Sequence, residues 1–420
     1  MEMGVAPADR ELEPRDSSSV AMGAMYRSLI LVALLAYVLS VVGAACAPTW
    51  PAPELPPAPR GGDDAAAIVG FAFSLHHTDD LGPYLRAIDE IADMGCNSLE
   101  IVTPAYQTDG AATDIAIVPG LSADRADVLR LLRRAHERGL RTALMPIVLF
   151  SEPRGNEWRG KIKPDKWGPW WDSYHRVMDY FSDIAVEGRA DAFAIGSELL
   201  STEEQEGPWA RVIAAAREKF AGRHVALYYS TNWDHYERPT FWKDVDMIGI
   251  SCYWDLTDGT DTEHPSHAQL AQRWASIRAD VLRFARKQNR PVLFTEIGYP
   301  SLPWGLKDPW NYVNTKDAAA APQVQAEGFA SYLAAWGDLL GRPYHYPELP
   351  ALAPRTGSAP TATGPGARGP VAGVFFYSWE PLSSGGPDDT GYGIKGKPTY
   401  DLLKQWLAQP TTSPTDPGLP

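Results

Sequence analysis

Cysteine is scarce in this chain of 420 residues, with three in all: Cys46, Cys96 and Cys252. So few thiols exclude a disulfide framework, and their spacing fits no zinc motif. Cys96 and Cys252 are read as buried free thiols. Positive charge is also short, with 38 Lys and Arg against 52 Asp and Glu and a formal net charge of -14. Phosphate binding draws on clustered Lys and Arg, so a nucleic-acid partner is excluded. No glycine-rich phosphate loop follows the first apolar run, which argues against an open nucleotide-binding sheet.

One long uncharged run is present at residues 28–45 (SLILVALLAYVLSVVGAA), with Arg27 before it and Cys46 after it. Its length lies at the edge of what spans a bilayer, about 18 to 20 residues, so a cleaved signal and a retained anchor both fit. Gly43, Ala44 and Ala45 directly before Cys46 resemble a bacterial lipoprotein signal, which makes Cys46 the expected lipidation site. The expectation is export to the cell envelope, with membrane attachment through a lipid or a helix, and a monomer in function. Residues 1–46 form this segment and the Pro-rich residues 47–65 a tether.

From residue 66 to residue 408, short apolar runs alternate with helical patterns. The runs lie at 68–74, 97–103, 141–149, 191–198, 224–230, 245–253, 291–296 and 371–379. Strands that are apolar throughout are packed on both faces, and eight of them predict a closed parallel (β/α)8 TIM barrel in one catalytic domain. Gly139, Gly188 and Gly222 near helix ends are expected as left-handed C-caps. Residues 341–370, rich in Pro, Ala and Gly, are expected as a mobile insertion at the bottom of the barrel, and 409–420 as a disordered tail.

Two glutamates close such runs, Glu198 in AFAIGSEL and Glu296 in PVLFTEIGYP. They end the fourth and seventh strands, at the barrel face where active sites form. Glycoside hydrolysis needs a proton donor and a second carboxylate, and a separation of about 5 to 5.5 Å gives retention of configuration. A single glutamate there could equally cap a helix, but the pair points to catalysis. Tyr253 closes the sixth strand, and Trp379 closes the eighth with Trp233, Trp254, Trp304 and Trp310 in nearby loops. Sugar rings expose C–H faces that stack on aromatic rings. His76, His77, Gln107, Trp158, Arg159 and Asn232 are polar or aromatic loop residues suited to holding hydroxyls. Adjacent His76 and His77 lack a third ligand, so neither a metal nor an organic cofactor is expected.

The order of several short motifs resembles glycoside hydrolase family 113, typified by β-1,4-mannanases. These motifs are Tyr106-Gln107, AHERGL at 135–140, WRGKIKP at 158–164, Trp171 with Tyr174, IGSEL at 195–199, TEIGY at 295–299, and Trp379 with Lys397-Pro398. The resemblance implies that Glu198 is the acid/base, that Glu296 is the nucleophile, that Tyr253 hydrogen-bonds the nucleophile and that Trp379 floors the subsite of the cleaved sugar. Two positions depart from it. Ser197 stands where many related enzymes carry Asn, and Met145-Pro146-Ile147 stands where the family carries Lys-Pro-His. The implied substrate is a β-linked polysaccharide or oligosaccharide, β-mannan first. Another β-glycan such as glucan or galactan is the alternative, and a binding protein that no longer turns over is the rival from a different class.

Overall fold

The computed structural model describes residues 66–258, 264–314, 316–346 and 369–412. The export segment, Cys46, the tether, most of the 341–370 insertion and the end of the tail lie outside the described residues. Among the described residues, no helix is long and apolar enough to cross a membrane.

Eight parallel strands close into one barrel in sequence order: β1 (Ile68–Ser74), β2 (Ser98–Gln107), β3 (Arg141–Phe150), β4 (Ala192–Ser197), β5 (Ala226–Asn232), β6 (Met247–Ser251), β7 (Val292–Ile297) and β8 (Val371–Tyr377). Among the described residues, seven α-helices pack outside: α1 (Gly82–Asp93), α2 (Arg125–Glu137), α3 (Trp167–Glu187), α4 (Glu206–Lys219), α5 (His267–Gln288), α6 (Pro322–Trp336) and α7 (Pro398–Leu407). Between β5 and β6 only a 3-10 turn, Trp242–Asp244, takes the helix position.

Side chains alternate along each strand, so every strand feeds two cores. The inner core is small and mixed, with Ala72, Ala143, Ala192, Ala194 and Ala372 beside Met145, Ile147, Tyr228 and Phe375. Alanines leave room for the large rings, and the barrel is filled rather than hollow. It also encloses one carboxyl: Glu100 is fully buried and accepts a hydrogen bond from the Tyr228 hydroxyl at 2.6 Å. Burial holds it well above the usual carboxylate range.

The outer core takes most of the tryptophans. Trp170 and Trp171 of α3, Trp209 of α4 and Tyr229 of β5 form an edge-to-face chain with centroids 4.9 to 5.2 Å apart. Truncating one such ring to alanine costs about 3–5 kcal/mol. This wedge fixes the backs of β4 and β5, the strands that carry Glu198 and Asn232.

Three local readings change. β2 runs four residues beyond 103, because 104–107 pair with 147–150 of β3 and Tyr106 also bridges Ala116. β5 extends to Asn232, which pairs with Ser251. Gly139 and Gly222 do adopt positive φ, but Gly188 does not; Arg189 takes the left-handed conformation instead. Gly188 serves close packing, since a Cβ there would lie 2.3 Å from Leu132. Cys96 and Cys252 are both buried and free.

Candidate active site

β4 loses its regular register between Ala194 and Ser197, where three residues oppose two of β5. Gly196 permits this bulge, because any Cβ would meet the Tyr174 hydroxyl at 2.7 Å and Trp209 at 2.9 Å. The next residue but one, Glu198, has φ 53°, a conformation that costs a non-glycine residue about 1–2 kcal/mol. The turn is held by hydrogen bonds from Glu198 N to Ser230 O at 2.7 Å and from Leu199 N to the Tyr229 hydroxyl at 2.9 Å. Its carboxylate is gripped from two sides. Arg159 Nη2 donates to Oε2 at 2.5 Å and Asn232 Nδ2 to Oε1 at 2.9 Å.

Arg159 comes from the loop after β3, in a 3-10 turn at Arg159–Lys161. Trp158 folds back over Gly160, where a Cβ would be 2.2 Å from its ring, so glycine allows the turn to present the arginine. The loop is tied to its neighbour by Lys163 N donating to Gly110 O at 2.7 Å.

Across the barrel, the pairing of β6 and β7 also slips, so that Ser251 opposes Glu296. Thr295 turns inward and its hydroxyl lies 2.6 Å from Ser230 Oγ. Glu296 is buried, with Oε2 accepting from the Tyr253 hydroxyl at 2.7 Å. Burial and the facing charge of Glu198 push its carboxyl up to about 7, against the opposing pull of Arg159 and Tyr253. Each carboxyl thus senses the other, and Arg159 lies in the field of both. Tyr253 stays a neutral donor, because burial and Glu296 raise its hydroxyl well above the usual range.

Aromatic rings continue from Tyr253. Trp233 meets it edge-on at 6.0 Å, Tyr377 at 6.4 Å and Tyr392 at 6.1 Å, and Tyr392 contacts the exposed Tyr312 at 5.8 Å. A path of rings leads from Glu296 to the surface loop that carries Trp310 and Tyr312.

The structure therefore brings Glu198, Glu296, Arg159, Asn232 and Tyr253 together, with Trp233 beside them. Ser197 is buried next to the pair, its hydroxyl without a hydrogen-bond partner. His76 lies at the end of β1, its Nδ1 2.9 Å from the Tyr106 hydroxyl.

Other placements are corrections. Trp379 is buried between barrel and helices: its ring packs on Phe71 at 5.0 Å, its Nε1 donates to Glu90 of α1 at 3.2 Å, and Lys395 lies over it. Tyr377 occupies the inner position at the end of β8, within the field of Glu296 and Arg159. Gln107 faces outward, accepting from Trp170 Nε1 at 3.0 Å and donating to Asp109 O at 2.6 Å. Trp304 is buried under its own loop, donating to Asn311 O at 3.0 Å. Trp254 leans on Tyr236, which packs on Phe284 of α5. His77 turns to Asp79, 3.5 Å away. Among the described residues, no cluster of three or more His, Cys, Asp or Glu could hold a metal ion.

Tyr377 and Tyr392 were missed from sequence. Counting by two from Phe375 places Tyr377 on the inner face, a signal that the larger tryptophan two residues later obscured.

Comparison with known proteins is consistent with this site. The structure is similar to a family 113 β-mannanase from Alicyclobacillus acidocaldarius solved in complex with ManMIm, with 22% identity over 82% of this chain and 97% of that one and a TM-score of 0.64. A family 113 β-1,4-mannanase aligns over 81% and 99% at 20% identity and a TM-score of 0.63. A β-glucuronidase from Faecalibacterium prausnitzii aligns at 12% identity over 82% of this chain and 49% of that one, with a TM-score of 0.51. At these identities the likeness extends to the fold. No curated protein matches the sequence. The profile of Glycoside Hydrolase Family 113 matches residues 84–338, more than half of the chain. With two glutamates facing each other across the top of its barrel, the chain is a glycosidase and belongs to glycoside hydrolase family 113.

Proposed function

We propose that the protein hydrolyses β-1,4-linked mannan or manno-oligosaccharides by a retaining double displacement, with Glu296 as nucleophile and Glu198 as acid/base. The observation that carries this reading is the arrangement of Glu198 and Glu296 at the ends of β4 and β7, with Arg159 sensed by both and Tyr253 donating to Glu296. In the first step Glu296 bonds to the anomeric carbon as the bond to the leaving oxygen breaks, and the Glu198 proton goes to that oxygen. In the second, water attacks the same carbon, gives its proton to Glu198, and the electron pair of the glycosyl ester returns to Glu296.

The chemistry requires the proton on Glu198 and the charge on Glu296. Two facing carboxyls titrate as a pair, so a proton on one favours ionisation of the other. Burial and then the charge of Glu198 keep Glu296 high; once Glu198 is protonated, the repulsion ends. Substrate binding that loosens Arg159 from Glu198, while leaving its charge near Glu296, favours the reactive arrangement. Asn232 Oδ1, buried and without a partner, is free to accept from a sugar hydroxyl.

Mannan is favoured by family membership and by the β-mannanases of similar fold. Another β-glycan is the second reading, because Met145 and Ile147 line the inner core where the family carries polar side chains. The path of rings from Tyr253 to Tyr312 suits an extended glycan. Incubating the purified protein with mannan, glucan and galactan and measuring reducing ends tests the assignment. Release from mannan that vanishes in Glu296→Ala is expected; release from glucan or galactan alone would overturn the mannan reading. We further propose export with lipid attachment at Cys46, on the strength of the run at 28–45. Mass spectrometry of the mature N-terminus decides this, and an unmodified Cys46 rules it out.

A further inference from the structure

We propose that Glu203 and His235, a buried ion pair behind the barrel wall, are positioning residues that hold Glu198 for proton transfer. This rests on Glu198 being the acid/base. Neither residue touches the cleft groups directly; the connection runs through β5.

The strained turn at Glu198 needs support on both sides. On one side Ser230 O and Asn232 Nδ2 hold Glu198 itself. On the other, Tyr229 and Thr231, the alternate residues of β5, brace the segment from Leu199 to Glu203. The Tyr229 hydroxyl accepts from Leu199 N at 2.9 Å, so its lone pair must point at that amide. Its proton then goes to Glu203 Oε1 at 3.0 Å, and Thr231 Oγ1 donates to the same oxygen at 3.1 Å. Thr202 completes the turn, its hydroxyl donating to Leu199 O at 2.7 Å while Trp209 Nε1 donates to Thr202 O at 2.9 Å.

Glu203 is fully buried, and a carboxylate taken out of water requires a charge partner. His235 provides it, with Nε2 3.5 Å from Glu203 Oε2 and Nδ1 2.6 Å from Asp234 Oδ1. Burial opposes the imidazolium, but the hydrogen bond to Asp234 and the nearby Glu203 carboxyl outweigh it and raise the ring to about 9. His235 therefore keeps its charge at neutral pH, and Glu203 Oε1 accepts from two hydroxyls. With Glu203 as acceptor the Tyr229 hydroxyl has one orientation, and Leu199 is fixed beside the acid/base. No hydrolysis step uses this pair. Its position one hydroxyl from Leu199 accounts for it.

The test separates proton delivery from general damage. Leaving groups of low pKa depart without a proton, so kcat/KM for 2,4-dinitrophenyl β-mannobioside is insensitive to a misplaced acid, whereas that for mannan is not. Glu203→Gln and the milder Tyr229→Phe are each expected to lower kcat/KM on mannan by about 10- to 100-fold. On the aryl substrate the expected change is within about threefold. Equal losses on both substrates, or no loss on mannan, would overturn the proposal. Amide exchange at Leu199 is read in the same proteins and needs no substrate. At least about tenfold faster exchange is expected in Tyr229→Phe, and unchanged exchange would also overturn the proposal. If the wild type cleaves neither substrate, the mannan assignment has failed, and exchange at Leu199 still decides whether the pair holds the turn.

Discussion

The ends of β4 and β7 present the same residue type to the same cleft in opposite settings. Glu198 is met by a guanidinium, a side-chain amide and a turn braced from both faces of β5. Glu296 is met directly by one phenol, and burial together with its opposite number pushes it up to about 7. The β4 end is an ionic clamp, whereas the β7 end takes one phenol directly and feels Arg159 only through its field. Two acids in unlike surroundings can divide acid and nucleophile roles, and their coupling lets one proton serve both.

The largest test of this contrast is truncation. Glu296→Ala should lower kcat by at least about 10⁴-fold on every substrate. Glu198→Ala should cost about 10²–10⁴-fold on glycans but far less on an activated aryl glycoside, in kcat/KM. Equal behaviour of the two variants on both substrates would erase the distinction.

Next is the alkaline limb of the pH–kcat/KM profile, which follows loss of the one proton that serves both carboxyls in the free enzyme and should fall near pH 7. Glu198→Gln should abolish this limb on an activated aryl glycoside, because the amide has no proton to lose and ionisation of Glu296 alone then only activates. Arg159→Ala should move it up by about one unit, because the guanidinium lowers Glu296. Tyr253→Phe should also move it up, by less. A limb that stays fixed in all three variants would show that the coupling is absent.

A third test concerns β8. Trp379→Ala should cost about 3 kcal/mol in denaturant unfolding with kcat/KM of the folded protein within about threefold. Tyr377→Ala should instead lower kcat/KM on glycans by about tenfold. The reverse result would return Trp379 to the cleft.

The smallest effect is on stability. The His235 ring is raised in the folded state, from 6.5 to about 9. A raised group contributes stability that is fully present below its unfolded pKa and is lost as pH rises through the folded value. The melting temperature should therefore fall by about 2–4 °C between pH 7 and pH 10, and His235→Gln should remove that component. An equal fall in the variant would contradict it.

Legibility in the sequence depends on which forces are local. Apolar runs set the barrel, because strands covered on both faces must be apolar. Glu198, Glu296, Tyr253, Arg159 and Asn232 could be found because strand ends and short motifs carry them. Trp379, Gln107 and Trp304 were misplaced because residue type does not reveal which face of a strand end or loop a side chain takes. The bulges at Ser197 and Glu296 and the non-alternating step at Gly373 shift that face by one residue. The support from Glu203 and His235 was illegible, since it depends on Tyr229 meeting Leu199 across 30 residues of chain.

The most direct measurement is covalent trapping. Incubation with a 2-deoxy-2-fluoro-β-mannosyl fluoride slows the second step and leaves the sugar on the nucleophile, where peptide mass spectrometry locates it. The label is expected on Glu296 in the wild type. Label on Glu198, or turnover of mannan with inversion and no trapped ester, would contradict the division of roles between the two strand ends.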